Sequence, residues 1–415
     1  MRLLEPFGEA NTMSQSWLPI STILKTAPKL LESPVYAKNV AMIQVDKFLR
    51  NLAPRADKGT ATRIRQCSIR ITDICNLRCH TCGQWGDSGF LRSCSLPDLR
   101  GREVSPERYI ALIRDLKEHG HTPSVYLWGG EPMLYRGSVE IIEEAARFGM
   151  PPSIATNGTG LVKHAERLVK APTFVIQISV DGPDAATHNA SRPGATPEVD
   201  NFATISKAID RIAEVRKDRK QRLPLIAALT TINNVNYDRL VDIYDVFRDR
   251  VDLCVFYLAW WIDEESAERH ARDFEERFGF KPDKHYGWIG NWRPPDYGVL
   301  AAQLTALSQK AAKLSGPAVV IMPPLTDPSD LESYYTDHDS RFGFDRCVSI
   351  FSAVEINSNG DMSPCRDYHD FVVGNVKEQT ITELWNSEPY LLFRKSLSEK
   401  GLMPVCTRCC GLMGY

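Results

Sequence analysis

The sequence holds no run of about 20 apolar residues, the length that a membrane-spanning helix needs, so no segment is expected to cross a bilayer. It also lacks an excess of charge. The 50 Lys and Arg stand against 52 Asp and Glu, giving a formal net charge of −2 with the signs interspersed. That balance offers no reason to expect nucleic acid or an acidic polymer as partner. No internal repeat or low-complexity tract is present, so a repeat array is not expected. The N-terminus does not read as a secretory signal, and the expectation is a reducing, cytoplasmic setting in which clustered thiols bind metal more often than they form disulfides.

Thiols are what the chain does have: eleven cysteines in 415 residues. Three of them stand in Cys75-Asn-Leu-Arg-Cys79-His-Thr-Cys82, a C-x3-C-x2-C spacing directly after the alternating stretch Ser68-Ile-Arg-Ile-Thr72. Soft thiolates a few Å apart on one short loop suit three irons of a cubane iron-sulfur cluster, leaving the fourth iron open to a small molecule. A zinc ion held by the same cysteines and His80 is the rival reading, since zinc takes thiolate and imidazole in a tetrahedron.

Residues 17 to about 55 read as helical, with Ile20, Ile23, Leu24, Ala27 and Leu31, then Ala41, Val45, Phe48, Leu49 and Leu52, at helical spacing. Lys25, Lys29, Lys38, Lys47 and Arg50 lie among them. The segment is expected to pack on the body of the protein, the alternative being a basic amphipathic surface for a membrane interface or a partner. From Ser68 onward β-like segments alternate with helices. The strands are placed at Ile69–Ile71, Val125–Trp128, Ser153–Ala155, Phe174–Val180, Leu225–Thr231 and Leu253–Leu258, and the first intervening helix has Ser105 as cap, Pro106 as first residue and Gly120 as stop. Six such alternations predict right-handed parallel βαβ units with the chemistry at the C-terminal strand ends. The expected organisation is a helical extension over 1–65, a βα core over 66–260, a helical and aromatic insertion over 261–325, and a cysteine-bearing region over 326–415.

The Cys75–Cys82 loop resembles the signature of the radical S-adenosylmethionine (SAM) enzymes, and further motifs carry the resemblance. Gly129-Gly130-Glu131 follows the second strand, where glycines let a backbone approach a ligand; it is similar to the family's GGE motif, which binds the SAM amino group. Thr156-Asn157 at the third strand end, and Ser179 and Arg192 around the fourth, resemble segments that meet the SAM ribose and carboxylate. Asp181 and His188 are expected to brace that turn. Thr81 stands where the family usually has an aromatic residue, and its backbone is expected at the adenine edge. The resemblance implies an α/β fold with a partial (βα)6 TIM-like barrel, and a SAM-binding [4Fe-4S] cluster on Cys75, Cys79 and Cys82.

Cys347, Gly360-Asp-Met-Ser-Pro-Cys365, Val373-Gly374-Asn375-Val376, Leu384-Trp385 and Cys406-Thr-Arg-Cys409-Cys410 resemble the SPASM and twitch auxiliary domains of radical SAM enzymes. This implies a small α+β domain with one auxiliary [4Fe-4S] cluster on Cys347, Cys365, Cys406 and Cys409, Cys410 being the alternative to Cys409 and a zinc knuckle the alternative to the cluster. Cys254 reads as a buried small hydrophobe, and Cys94 as an incidental loop thiol or a hydrogen-atom donor. Trp128, Tyr257, Trp260, Trp261, Trp288 and Trp292 could line an apolar pocket. The implied enzyme takes an electron from a flavodoxin- or ferredoxin-like donor, cleaves SAM to a 5′-deoxyadenosyl radical and abstracts a substrate hydrogen. Oxidation of a small metabolite or natural-product intermediate is the leading expectation; peptide modification, a redox-neutral epimerisation and a lipid substrate follow, and a non-enzymatic zinc-binding protein is the reading from another class.

Overall fold

A computed structural model of the protein describes residues 20–52, 59–313 and 315–413. Parts of the expected 1–65 extension therefore lie outside the described residues. Seven parallel strands form the body: β1 (Gln66–Thr72), β2 (Ser124–Gly129), β3 (Pro152–Thr156), β4 (Val175–Ser179), β5 (Leu225–Ile232), β6 (Leu253–Leu258) and β7 (Ala318–Met322). Each pairs parallel with the next, with one register shift between Arg70 and Thr72 at the end of β1. β7 comes from the segment read as an insertion and extends the six-strand core by one.

Helices link the strands where the sequence pattern places them. Ser105 accepts from the Arg108 N–H ahead of the helix Pro106–Glu118, and Gly120, with φ +75°, leads out of it. On the strands, alternation separates two faces. Val125 and Leu127 of β2 and Ile176 and Ile178 of β4 are buried, while Tyr126, Trp128, Gln177 and Ser179 are half-exposed on the other face. The body is thus the partial barrel of an α/β fold.

The C-terminal region joins the same sheet. β8 (Ala353–Ile356) pairs parallel with β1, and β9 (Asp361–Ser363) and β10 (Gly374–Asn375) continue it antiparallel, giving the order β10-β9-β8-β1-β2-β3-β4-β5-β6-β7. β1, which leads into the first cysteine loop, therefore lies between the barrel and the auxiliary region. Arg394 fixes this junction: fully buried, it donates to Ile350 O, Gly59 O and Asn386 Oδ1 and lies over Trp385 and Tyr390. A buried cation is tolerable when its donors are met in this way.

The helices α1 (Ile20–Leu30) and α2 (Pro34–Leu52) pack at the other end of the barrel. Lys25 donates to Ala311 O and Pro317 O, Lys29 pairs with Asp252 just before β6, and the Tyr36 hydroxyl donates to Pro172 O. Two of the lysines that the alternative reading assigns to a basic outer surface are thus turned inward, where carbonyls and a carboxylate need donors; Ile23, Leu24, Leu31, Val35, Val45 and Leu49 are the large apolar side chains left exposed among the described residues of this N-terminal segment. No helix among the described residues is long and apolar enough to cross a membrane.

Candidate active site

The cysteine loop is held from three sides. At its root, Gly130 N donates to Thr72 O and Glu131 N to Ile74 O, both at 2.8 Å. A Cβ on Gly129 would stand 2.4 Å from Thr72 O and one on Gly130 2.3 Å from Ile74 O. The two glycines are needed because the start of the cysteine loop lies against them, a close approach of backbone to backbone. At its middle the loop is stitched to the segment after the helix Ala185–Ser191: Arg78 N donates to Pro193 O, and Ala195 N to Asn76 O. At its far end the Trp85 indole N–H reaches back to Asp73 O, 2.7 Å away, and Arg78 lies over the Trp85 ring.

So held, Cys75, Cys79 and Cys82 open onto one cavity of about 250 Å³ at the C-terminal strand ends. Thr81, Gly129, Gly130, Thr156, Asn157, Ser179 and Arg192 line the same cavity. Residues from four strand ends, separated by more than a hundred positions in sequence, thus converge on the thiols. The sulfurs accept N–H groups: Cys75 from Leu77 N at 3.4 Å and Asn157 Nδ2 at 3.9 Å, Cys82 from Trp85 N at 3.4 Å, and Cys79 from Arg192 Nη1 at 3.8 Å. Arg192 is in turn ion-paired to buried Asp181 at 2.7 Å. Asp181 also accepts from Thr231 N and the Ser191 hydroxyl, and His188 accepts from Asp181 N, so both brace this turn.

Glu131 is placed differently from the expectation that it faces a cation. It is fully buried and absent from the cavity lining. Its Oε1 accepts from Met133 N and Thr156 Oγ1, and its Oε2 from Asn157 N at 2.7 Å. Burial pushes its carboxyl up to about 7 against the pull of these donors. Glu131 is a brace for the Thr156–Asn157 turn.

Burial pushes the Cys79 thiol up to about 11, with the Arg192 guanidinium pulling the other way. Cys75 is raised as well, by burial first and by Cys79 next. Crowded thiols that oppose one another's ionisation are a donor set that a cationic centre would stabilise as thiolates. The residues present therefore fit the cluster. His80, the fourth ligand of the zinc reading, is exposed and faces Asp87 at 3.3 Å. Among the described residues no group of three or more His, Cys, Asp and Glu side chains is gathered as for a single metal ion.

A second, smaller cavity is lined by Cys347, Cys365, Cys406 and Cys409 together with Arg366 and Glu355. Burial is the chief cause that raises the Cys347 thiol and pushes Cys406 up to about 12, so the same fit applies here. Cys410 is not in this lining. Its sulfur lies 3.2 Å from Asp367 Oδ2, which also stands 3.4 Å from Cys409, while Gly411 N donates to Cys409. Cys254 is buried in β6, and Cys94 lines a separate polar cavity with Arg70, Asp73 and His369.

Of the aromatic residues singled out by sequence, Trp128, Trp260 and Trp288 line the main cavity; Tyr257, Trp261 and Trp292 do not. Trp261 packs edge-on to His338, and Trp292 is in the core. Trp85 and Tyr126 line the cavity unannounced. Strand alternation could have found Tyr126, two positions before Trp128 on the same face.

The Radical SAM superfamily model matches residues 69–247, and the iron-sulfur cluster-binding domain model named SPASM matches residues 347–410. Among curated proteins, the GTP 3′,8-cyclase of Mycolicibacterium smegmatis is 35% identical over 120 residues, covering 28% of this chain and 31% of its own. The AdoMet-dependent heme synthase of Nitratidesulfovibrio vulgaris is 30% identical over 145 residues, covering 34% and 37%. The chain spans about a third of the length of these relatives. Among solved structures, Streptococcus suis SuiB bound to S-adenosylmethionine aligns with a TM-score of 0.56 at 14% identity over 93% of this chain and 80% of that one. The protein anSMEcpe with bound AdoMet aligns at 0.51 and 19% identity over 78% and 81%. These two likenesses show the fold.

Proposed function

We propose, on the premise that the chain belongs to the radical SAM superfamily and carries a C-terminal SPASM domain, that it is an enzyme that cleaves SAM reductively and oxidises a small organic substrate. The two domains imply a SAM-binding [4Fe-4S] cluster and an auxiliary iron-sulfur cluster. When bound, these groups supply the one-electron chemistry: cleavage of SAM to methionine and a 5′-deoxyadenosyl radical, hydrogen abstraction from the substrate, and a sink for the electron that oxidation releases. The observation that carries this reading is the opening of Cys75, Cys79 and Cys82 onto one cavity with Gly129, Gly130, Thr156, Asn157, Ser179 and Arg192.

The chain's own residues position and shield. Cys75, Cys79 and Cys82 would hold the first cluster, and Asn157, Arg192 and the backbone N–H groups at the sulfurs would tune its potential by hydrogen bonding. Thr81, Ser179 and the Gly129–Gly130 backbone would orient SAM, with Glu131 and Asp181 acting one layer behind. Cys347, Cys365, Cys406 and Cys409 would hold the auxiliary cluster. A flavodoxin- or ferredoxin-like protein would deliver the electron. A nucleotide, by analogy with the GTP 3′,8-cyclases, or a peptide, by analogy with the SuiB structure bound to precursor peptide SuiA, is the alternative substrate.

Anaerobic purification tests the assignment. A brown protein with about eight irons per chain that releases 5′-deoxyadenosine from SAM on reduction supports it. A colourless protein loaded with zinc overturns it.

A further inference from the structure

Besides the cysteine loop, the main cavity is walled by Tyr126, Trp128, Ala259, Trp260, Thr231 and Trp288, the last of which also packs against Gly83 beside Cys82. Among the described residues lining the whole cavity, Arg192 is the one charged side chain, and it is bound to Asp181 and to the Cys79 sulfur. A triphosphate carries several negative charges, and proteins hold such groups with Arg or Lys forks or with a bound cation. The chamber offers neither.

Aromatic walls ordinarily welcome cations. Here that attraction is already engaged, because the Arg366 guanidinium lies 5.3 Å from the Tyr126 ring centroid and 5.5 Å from that of Trp128. Glu355 holds Arg366 there through a two-point pair at 3.2 Å. A second cation in front of the same rings would gain less from them. Two polar tips of the wall are satisfied elsewhere: the Trp288 N–H donates to Asp367 O, and the Tyr126 hydroxyl donates to Gln177 Oε1, while the buried Trp128 N–H has no protein acceptor among the described residues. What remains toward the cavity is flat, uncharged surface, with Trp260 set edge-on to Tyr257 at 5.2 Å.

We infer that this chamber takes an uncharged, planar part of the substrate, an aromatic or similarly flat ring, and rejects both nucleoside triphosphates and ammonium-bearing groups. The inference rests on the proposed function, because it assigns the cysteine end of the cavity to SAM. Ring-on-ring contacts of this kind add to affinity beyond the area they bury, so removing one wall should be measurable.

The test is calorimetric titration of the reconstituted protein, first with SAM and then, SAM-saturated, with indole, GTP and tetramethylammonium as neutral, anionic and cationic probes. Indole is expected to bind saturably and the other two not, over the same concentration range. Trp260→Ala should weaken indole by about tenfold, and Trp260→Phe should keep most of the affinity, which separates a lost wall from a lost fold. Binding of GTP or tetramethylammonium in place of indole, or indole binding indifferent to Trp260→Ala, overturns the inference. A protein that fails to bind SAM in the first titration breaks the underlying function; one that binds SAM normally and no indole breaks this inference alone.

Discussion

The Trp288 indole N–H donates to the carbonyl of Asp367 at 3.1 Å. The same ring occupies the space that a side chain on Gly83 would need: a Cβ there would stand 2.5 Å from Trp288 Cε2. Gly83 directly follows Cys82, and Asp367 faces Cys409 and Cys410, so one indole spans the two thiol clusters. A substitution at Gly83 must therefore disturb both. Gly83→Ala is expected to cost about 1–3 kcal/mol of stability by overpacking and to lower the iron content of the purified protein. Thermal unfolding and iron analysis check it, and unchanged values would show that Trp288 can swing away freely.

Glu131 makes a second prediction, because its two oxygens serve different donors. In Glu131→Gln one oxygen becomes an NH2 group, and the one oxygen that remains can accept from either the Met133–Thr156 side or Asn157 N but not both. One buried donor is left facing another donor, at a cost of about 1–3 kcal/mol. Because Thr156 and Asn157 line the cavity, SAM should bind more weakly while the cluster content stays full. Titration of SAM into the reconstituted variant measures this, and wild-type affinity would contradict the bracing role.

The two adjacent thiols at the auxiliary cavity separate by position. Cys409 lines the cavity with Cys347, Cys365 and Cys406, and Cys410 does not. Cys409→Ala is expected to lose the auxiliary iron, about half of the total, whereas Cys410→Ala should keep it. Iron and sulfide analysis of the two variants decides, and the reverse pattern would exchange their roles.

His270 supplies a pH dependence. Its ring is fully buried against His285, Phe274 and Tyr368, and burial, helped by His285 and Arg277, depresses its pKa from 6.5 to about 3. The unfolded chain takes up the proton near 6.5 and the folded chain does not, so this contribution to stability is intact above pH 6.5 and is lost as pH falls below it, each unit being worth about 1.4 kcal/mol at most. His270→Phe should flatten the fall in unfolding midpoint between pH 7.5 and 5.5. An unchanged slope would place the dependence elsewhere.

Much of the architecture was legible in sequence because its signals are local. Alternation in Val125–Trp128 and Ile176–Ser179 marks strands whose two faces differ, and the Ser105-Pro106 start and Gly120 stop bound a helix by capping chemistry. The thiol spacing of the first loop is also a local property. What the sequence could not show depends on which distant group a side chain meets. The helical spacing places the N-terminal helices on the body of the protein but does not say what Lys25 and Lys29 meet there, which is the carbonyls of Ala311 and Pro317 and the Asp252 carboxylate. Gly129 and Gly130 read as room for a ligand and do line the cavity, but the sequence does not show that the Thr72 and Ile74 carbonyls crowd them as well. Glu131 reads as a cation ligand from its chemistry, while its orientation is set by donors at Met133, Thr156 and Asn157. Nor does composition reveal that β8 docks on β1, since parallel pairing between strands so far apart in sequence leaves no local mark.

The central claim is that Cys75, Cys79 and Cys82 hold the cluster that cleaves SAM. The most direct measurement is 5′-deoxyadenosine formation by reduced Cys75→Ala beside the parent protein, with iron counted in both. The expected result is loss of SAM cleavage with the auxiliary iron retained; full cleavage by Cys75→Ala would contradict the account.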